Sequence, residues 1–402
     1  MKSPLILICL LLLTMTLSSQ DAKDIVRKSK EKCQSITHGY YEMTTHKKYM
    51  SGPDTSVNTK KCYFKKANSK KPFPAQFHLQ FMDGGQPHSA ALFTGEELVT
   101  FSFKDSTGTI LSMDKWKSEI NSWIENYDFF GPFTSGKSRP MPGKSDYRES
   151  SFQMKWIGEE RVSGYNCHHI EISEVPKLSK EAQLEVFSYV RHFWINTEDM
   201  IPVQYSEEIA ILMNKDTMVQ YDLFTVNRYE LNMPFEEDKV SLSVVPAYIN
   251  LKEYTPYVQP EPLPIDTIAP LWSFPSLTDD TVSLEGLKGK LVLLDFFYKS
   301  CFPCMQALPA LQSLHEKYKD QGLVVIGLDP YDDKADNLPD FLAKRDVDYT
   351  VLYASREIAK TYKVSGYPTM FLIDKEGKII HIQEGFGDSV EARLEEIILN
   401  NL

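Results

Sequence analysis

Residues Leu291–Leu311 read LVLLDFFYKSCFPCMQALPAL, and they constrain the fold more than any other stretch. A run of apolar residues broken only by Asp295 leads straight into Cys301-Phe302-Pro303-Cys304. The residues after the cysteines carry helical hydrophobic spacing. So short and apolar a run is a strand buried on both faces, which calls for layers on either side of it. The helix that follows starts at the cysteines. A helix N-terminus carries partial positive charge and unpaired N–H groups, and it stabilises a thiolate in its first turn. The spacing puts Cys304 one turn after Cys301, within reach of a disulfide. That is a two-electron switch in which Cys301 attacks and Cys304 resolves. Pro303 lacks an N–H that the first turn leaves unpaired anyway. Three other readings compete. Zinc needs two further ligands at suitable spacing, and no second CxxC pair exists. A purely structural disulfide is the second. A peroxidatic cysteine would carry Pro-x-x-x-Thr-x-x-Cys, and Leu294 stands in the Pro place.

At 402 residues the chain is long for one domain, and two are expected. Lys2 followed by the apolar run Leu5–Leu13 and by Ser18-Ser19-Gln20 has the layout of an export signal over residues 1–19. A membrane anchor is the competing reading. Cys9 lies inside the run behind Ile8, which argues against a lipoprotein cleavage box. Export puts the protein where disulfides persist. Five cysteines remain beyond the signal, an odd number, so at least one thiol stays unpaired or pairs between chains. Beside Cys301 and Cys304, the favoured structural disulfide is Cys33–Cys62, with Cys167 buried and inert; spacing alone leaves that pairing open. The net charge is −11, yet residues 23–71 hold 13 Lys/Arg against 4 Asp/Glu. Such a stretch is a solvated surface or a basic face for anionic lipid or an acidic partner. Nucleic acid fits poorly with export and the acidic remainder.

Strand patterns dominate the first part of the chain. They are clearest at Phe77–Phe81, Ala90–Phe93, Leu98–Phe103 and Thr109–Leu111, with Asp83-Gly84-Gly85 as a turn. Helices are expected over Asp21–Ser35 and Met113–Tyr127. In the second, Asp114 is the N-cap, and Trp116, Ile120, Trp123 and Ile124 share a face. After a Gly/Pro/Ser-rich loop, strands resume at Ser151–Ile157, Asn166–Ser173, Phe187–Asn196, Ile201–Glu207 and Val219–Leu231. Residues 20–250 therefore read as an α+β module, an antiparallel sheet with helices against it. Residues 251–264, with Pro256, Pro260, Pro262 and Pro264, read as a stiff linker. From residue 265 to 402, strand and helix alternate, the mark of an α/β domain with a mainly parallel sheet.

Several residues at fixed offsets from the cysteines make this last domain resemble the thioredoxin superfamily, and within it the TlpA/ResA-like thiol-disulfide oxidoreductases of bacterial envelopes. Gly286-Leu287-Lys288-Gly289-Lys290 is similar to the family's entry motif. Asp295 stands six residues before Cys301, Pro309 five after Cys304, and Val364-Ser365-Gly366-Tyr367-Pro368-Thr369 looks like the cis-proline loop. The resemblance implies an α/β thioredoxin-like fold and a role for each position. Cys301 is the nucleophile and Cys304 the resolving thiol. Asp295 is a buried acid of raised pKa that relays the proton, unless it pairs with a lysine. Pro368 in cis packs on the disulfide, with the Tyr367 backbone ready for an extended substrate. Phe302 and Pro303 complete the substrate face. Two positions depart from the family: Ser300 replaces the usual Trp, and Ala307 the Glu of some ResA-like members. Both weaken a narrow cytochrome-c-maturation role. Lys299 reads as solvated or as a further support for the thiolate.

The first module bears a looser resemblance to the LolA/RseB-like fold, a half-barrel sheet wrapped on helices. It rests on Gly164-Tyr165-Asn166-Cys167-His168-His169-Ile170, on Trp194-Ile195-Asn196 and on Ile201-Pro202. That resemblance implies a cavity for an acyl chain or hydrophobic segment; an ordinary docking or dimerisation sheet competes with it. His168 and His169 point to opposite faces of a strand and do not make a metal site. The expectation is thus an exported thiol-disulfide oxidoreductase, a reductant in the periplasm or envelope of a Gram-negative bacterium. It would need no cofactor beyond its own dithiol. Its partners would be cysteine-containing envelope proteins and a membrane electron donor that recharges it. The alternative is a lipid- or lipoprotein-binding protein whose redox domain senses or holds the ligand.

Overall fold

The computed structural model describes residues 22–49, 55–66, 76–134, 152–174, 185–213, 216–258, 261–387 and 389–402. The chain divides into two compact units, the first ending at Pro256 and the second running from Tyr257 to Leu402.

The first unit opens with a helix over residues 22–34 (α1). Six strands follow: β1 (His38–Lys48), β2 (Thr55–Lys65), β3 (Gln76–Asp83), β4 (Gln86–Phe93), β5 (Glu97–Ser102) and β6 (Thr107–Ser112). Helix α2 (Met113–Glu125) and the single turn α3 (Gly131–Thr134) lead to β7 (Phe152–Val162), β8 (Tyr165–Glu174), β9 (Glu185–Asn196), β10 (Pro202–Met213) and β11 (Asp216–Leu231). With β12 (Asn250–Glu253) these form one sheet of twelve described strands, in the order β12-β6-β5-β4-β3-β2-β1-β11-β10-β9-β8-β7. Two antiparallel meanders meet where β1 pairs with β11, and only β12 runs parallel to its neighbour β6.

The alternation that makes these strands is plain in β1, where every second residue from Gly39 to Thr45 is buried. Tyr41 and Met43 join Cys62 and Phe64 of β2, Phe77 and Leu79 of β3, Val226 of β11 and Tyr205 of β10 in one core. Ala22 and Val26 of α1 and Ile120 and Ile124 of α2 pack into the same core. The β3–β4 hairpin turns on Gly84 and Gly85, both at positive φ (53° and 82°), where a β-carbon would be strained.

Three expectations change here, and a fourth is sharpened. Asp114 is not the N-cap of α2: Ser112 holds that position, and Asp114 lies in the first turn beside a kink at Trp116. The segment read as linker begins with a strand. Asn250–Glu253 completes the sheet against β6, and Tyr254 after it meets Trp116 and Trp123 edge-on at 5.0 and 5.3 Å. The lysine-rich stretch is in part tied down within the unit, while Lys23 and Lys32 are exposed as on a solvated surface. Lys60 is buried, and its ammonium and that of Lys47 hold Asp128 at 3.1 and 2.6 Å. Lys65 bonds Glu237 at 2.6 Å, and Lys28 bonds Asp24 at 2.8 Å. Finally, Cys33 and Cys62 are not joined. Both are buried thiols, as is Cys167. They sit in different surroundings: Lys66 and Ser29 act on Cys33, Tyr41 and Lys60 on Cys62. Burial pushes Cys33 and Cys62 up to about 12 and Cys167 up to about 11.

The second unit begins with a small hairpin, β13 (Ser273–Pro275) and β14 (Thr281–Ser283). Its main elements are β15 (Leu291–Phe296), α4 (Phe302–Tyr318), β16 (Leu323–Asp329), α5 (Leu338–Ala343), β17 (Thr350–Tyr353), α6 (Arg356–Thr361), β18 (Thr369–Ile373), β19 (Ile379–Glu384) and α7 (Val390–Leu399). The five-stranded sheet runs β17-β16-β15-β18-β19. The first three strands are parallel, β18 runs antiparallel to β15, and β19 antiparallel to β18. Every residue of the central strand β15 is buried, as its apolar sequence requires. Val292, Leu294 and Phe296 pack on one face with Trp272, Ile326, Phe371 and Tyr362. Residues of the other parity, Asp295 among them, point to the opposite face.

Candidate active site

The site grows from the carboxyl end of β15. Just beyond that strand, Cys301 N-caps α4: its N–H donates to the Tyr298 carbonyl at 3.1 Å, and its Sγ accepts from the Cys304 N–H at 3.2 Å. The turn needs extended backbone at Cys301 and a residue without a useful N–H close after it, which Pro303 supplies. Cys301 and Cys304 are joined by a disulfide, their Cα atoms 5.2 Å apart. Cys301 is 4% exposed and Cys304 fully buried, while Pro303 is exposed and Phe302 half-buried. The attackable sulfur therefore lies at the rim and its partner beneath it. Pro309 sits inside α4, where it removes one backbone bond from the ladder.

The loop before β18 closes the site. Its Tyr367–Pro368 bond is cis, Pro368 is buried, and the Pro368 carbonyl accepts from Gly385 N–H at 2.8 Å.

Asp295, in β15, is completely buried, and neither carboxyl oxygen has a hydrogen-bond partner among the described residues. No lysine among them pairs with it. Burial alone pushes this carboxyl up to about 8. Its face of the sheet is the one α4 covers: Tyr349, whose phenol Asp295 pushes further up beyond the effect of burial, has its ring 6.3 Å from that of His315 on α4. Of the positions named from the sequence, Cys301 and Cys304 are bonded to each other, Tyr367–Pro368 is cis, Pro309 lies inside α4 and Asp295 is buried in β15. Lys299 behaves unlike either expectation. It is neither solvated nor aimed at the cysteines: its Nζ donates to the Asp336 carbonyl at 2.6 Å and its backbone N–H to Asp332 Oδ2 at 2.6 Å.

Residues that the sequence reading overlooked complete the surroundings. Tyr298 follows β15 and Tyr331 follows β16, and both lean on Tyr367. The signal that could have found them was positional, because the carboxyl ends of parallel strands are where open α/β sheets hold their sites. Asp329, at the end of β16, accepts from the Tyr331 and Asp332 N–H groups at 2.9 Å each, and burial together with Asp332 pushes its carboxyl up.

This combination — a disulfide at a helix N-terminus, a cis-proline loop and a buried carboxyl on a sheet with two antiparallel strands — defines a thioredoxin-type redox site. Comparison with known proteins agrees. The pattern of the AhpC/TSA family matches residues 265–382. The thiol-disulfide oxidoreductase ResA of Bacillus thuringiensis subsp. konkukian is 35% identical over 143 residues, spanning 35% of this chain and 81% of that protein. The thioredoxin-like protein YneN of Bacillus subtilis is 31% identical over 118 residues, 29% of this chain and 69% of its own. Among solved structures, a putative thiol:disulfide interchange protein DsbE from Chlorobium tepidum is 33% identical, covering 35% of this chain and 98% of its own, with a TM-score of 0.33. Through its second unit the chain belongs to the ResA-like thiol-disulfide oxidoreductases of the thioredoxin superfamily.

Proposed function

We propose that this protein is an exported thiol-disulfide oxidoreductase that reduces disulfides of envelope proteins. The observation that carries the reading is the Cys301–Cys304 disulfide at the N-terminus of α4, with a buried Asp295 that has no hydrogen-bond partner in the strand before it. In the reduced protein the Cys301 thiolate attacks a substrate disulfide, forms a mixed disulfide and expels one substrate thiolate. Cys304 gives its proton to Asp295 and attacks the Cys301 sulfur, which releases the second substrate sulfur. Two electrons have then passed to the substrate, and the Cys301–Cys304 bond is restored. Asp295 suits the proton transfer because its carboxyl, at about 8, sits in the range where it takes up and returns a proton near neutrality. The Tyr367 backbone beside cis-Pro368, with Phe302 and Pro303, receives the substrate chain as an added strand. A membrane-bound dithiol donor recharges the pair. Lys2 and Leu5–Leu13 support export, and the LolA/RseB-like pattern supports a periplasmic, Gram-negative setting. Among the described residues no helix is long and apolar enough to cross a membrane.

The test is reduction of insulin disulfides by the purified chain with dithiothreitol. Turnover is expected from the wild type and none from Cys301→Ser; a wild type no faster than dithiothreitol alone removes the reading.

A second reading concerns the first unit, as a binding module for a lipid or lipoprotein. Its support is an open cavity of about 570 Å³ on the sheet, lined by Phe81, Phe101, Tyr127, Ser89, Thr100 and Lys252 among others. Rings and hydroxyls share that lining, which suits a ligand with both apolar and polar parts. Native mass spectrometry of gently purified protein tests it, and a spectrum of bare protein only counts against it.

A further inference from the structure

Three tyrosines stand around the redox loop, and the proton chemistry uses none of them. The ring of Tyr298 lies 5.1 Å from that of Tyr331 and 5.3 Å from that of Tyr367, and Tyr331 and Tyr367 are 5.5 Å apart. All three contacts are edge-to-face, the arrangement in which ring quadrupoles attract. Two of the residues are tied to working parts of the site. The Tyr298 carbonyl accepts the Cys301 N–H, and Tyr367 is the residue before cis-Pro368.

The cluster is also held in place from behind. Lys299 bonds Asp332 and Asp336, which fastens the loop after β15 to the loop after β16. Tyr331 takes the Arg356 guanidinium over its ring at 4.7 Å, and its N–H donates to Asp329. A ring that served only to glue these loops would be covered. Tyr331 is instead 47% exposed, and Ser300 next to the nucleophile is small and exposed, so nothing at that position screens the rings.

We propose that Tyr298, Tyr331 and Tyr367 form a subsite that takes an aromatic side chain flanking the half-cystine of a peptide substrate. The inference rests on the oxidoreductase reading and names the substrate class for the same site. The chemistry points to an uncharged ring. Arg356 repels a basic residue, Asp329 is fully buried, and Asp332 already accepts the Lys299 backbone N–H. Aromatic edges and faces left partly in water gain most by covering another ring.

The test uses the full chain and three disulfide-linked peptides that differ only in the residue next to cysteine: Phe, Ser or Asp. The wild type is expected to favour the Phe peptide over the Ser peptide by about tenfold in kcat/KM, equivalent to about 1.4 kcal/mol. Tyr331→Ala should bring that ratio close to one, and Tyr331→Phe, which keeps the ring, should preserve it. The proposal falls if the wild type treats Phe and Ser alike, or if it prefers Asp, which would make Arg356 the recognition element. It also falls if Tyr331→Ala slows all three peptides equally, the mark of a purely structural role. Failure to reduce any of the three removes the oxidoreductase reading, and this inference with it.

Discussion

The two units handle the same residue in opposite ways. In the first, Cys33, Cys62 and Cys167 are buried in or beside a sheet core, unpaired, and raised well above the ordinary thiol range. In the second, Cys301 is buried to the same degree, yet it caps a helix and is bonded to Cys304. Burial does not separate the two sets. What separates them is the presence of helix N–H groups and a positive helix end at the sulfur. Carboxylates show the same contrast. Asp128 in the first unit is held below the usual carboxylate range by Lys60 and Lys47 against the pull of burial. Asp295 in the second has burial alone and is pushed up. One is a structural ion-pair centre, the other a group able to exchange a proton.

The strongest way to break the comparison is to exchange the roles of the thiols. Cys301→Ser should abolish insulin reduction, whereas Cys167→Ser should keep wild-type turnover in the same assay. Loss of turnover in the Cys167 variant would give the first unit a part in the chemistry. Next in size is alkylation. After reduction of the native chain at pH 8, iodoacetamide should modify Cys301 at least about a thousandfold faster than Cys33 or Cys62. Thiols near 12 hold only about one part in ten thousand thiolate at that pH. Peptide mapping by mass spectrometry gives the ratio, and comparable labelling would show the two environments to be alike.

Asp295→Asn is expected to slow resolution of the mixed disulfide by about a hundredfold, read by stopped flow. In the wild type that step should quicken as pH rises through about 8; in the variant it should be flat. The sign for stability follows from the same raised carboxyl. The folded unit binds a proton at Asp295 that the unfolded chain gives up near 4, so stability falls as pH climbs from about 4 to about 8 and levels off above. The asparagine variant lacks this loss, so its stability relative to the wild type should rise as pH climbs from about 4 to about 8 and stay constant above. A thermal melt series against pH checks it, and parallel curves for the two proteins would overturn it. The smallest effect belongs to the first unit. Cys62→Ala leaves a small void beside Tyr41 and Phe64 and should cost about 1 kcal/mol. Hydrogen exchange of the β1 and β2 amides should quicken about fivefold, with the redox assay unmoved.

Much of the second unit was legible in advance because its signals are local. The β15 run, the Cys-Phe-Pro-Cys turn and the helix after it occupy one continuous stretch, and α4 starts at the cysteines as expected. The first unit was harder for a physical reason. β1 and β2 carry many lysines, and their inward positions include Thr45 and Lys60, so the period of two is masked by polar residues that find partners only in the folded sheet. Asn250–Glu253 has no strand signature of its own, being polar and followed by prolines, and it becomes a strand because the edge of β6 is there to pair with. The tyrosine cluster escaped notice because its members are 298, 331 and 367, far apart in sequence and ordinary when taken singly.

The sequence by itself determined the reaction: two cysteines three apart at a helix start, an acid in the strand before them and a proline ahead of a later strand. The cysteine pair is a short-range pattern that covalent spacing and helix geometry are enough to read; the acid and the proline were legible through the resemblance to the thioredoxin superfamily. Only the tertiary structure decided what each group experiences. It left Asp295 without a lysine, kept Cys33 and Cys62 as separate thiols, took Lys299 away from both solvent and sulfur, and gathered three tyrosines at the rim. Desolvation and partnership are properties of neighbours brought together from distant parts of the chain, and no local pattern records which neighbours those will be.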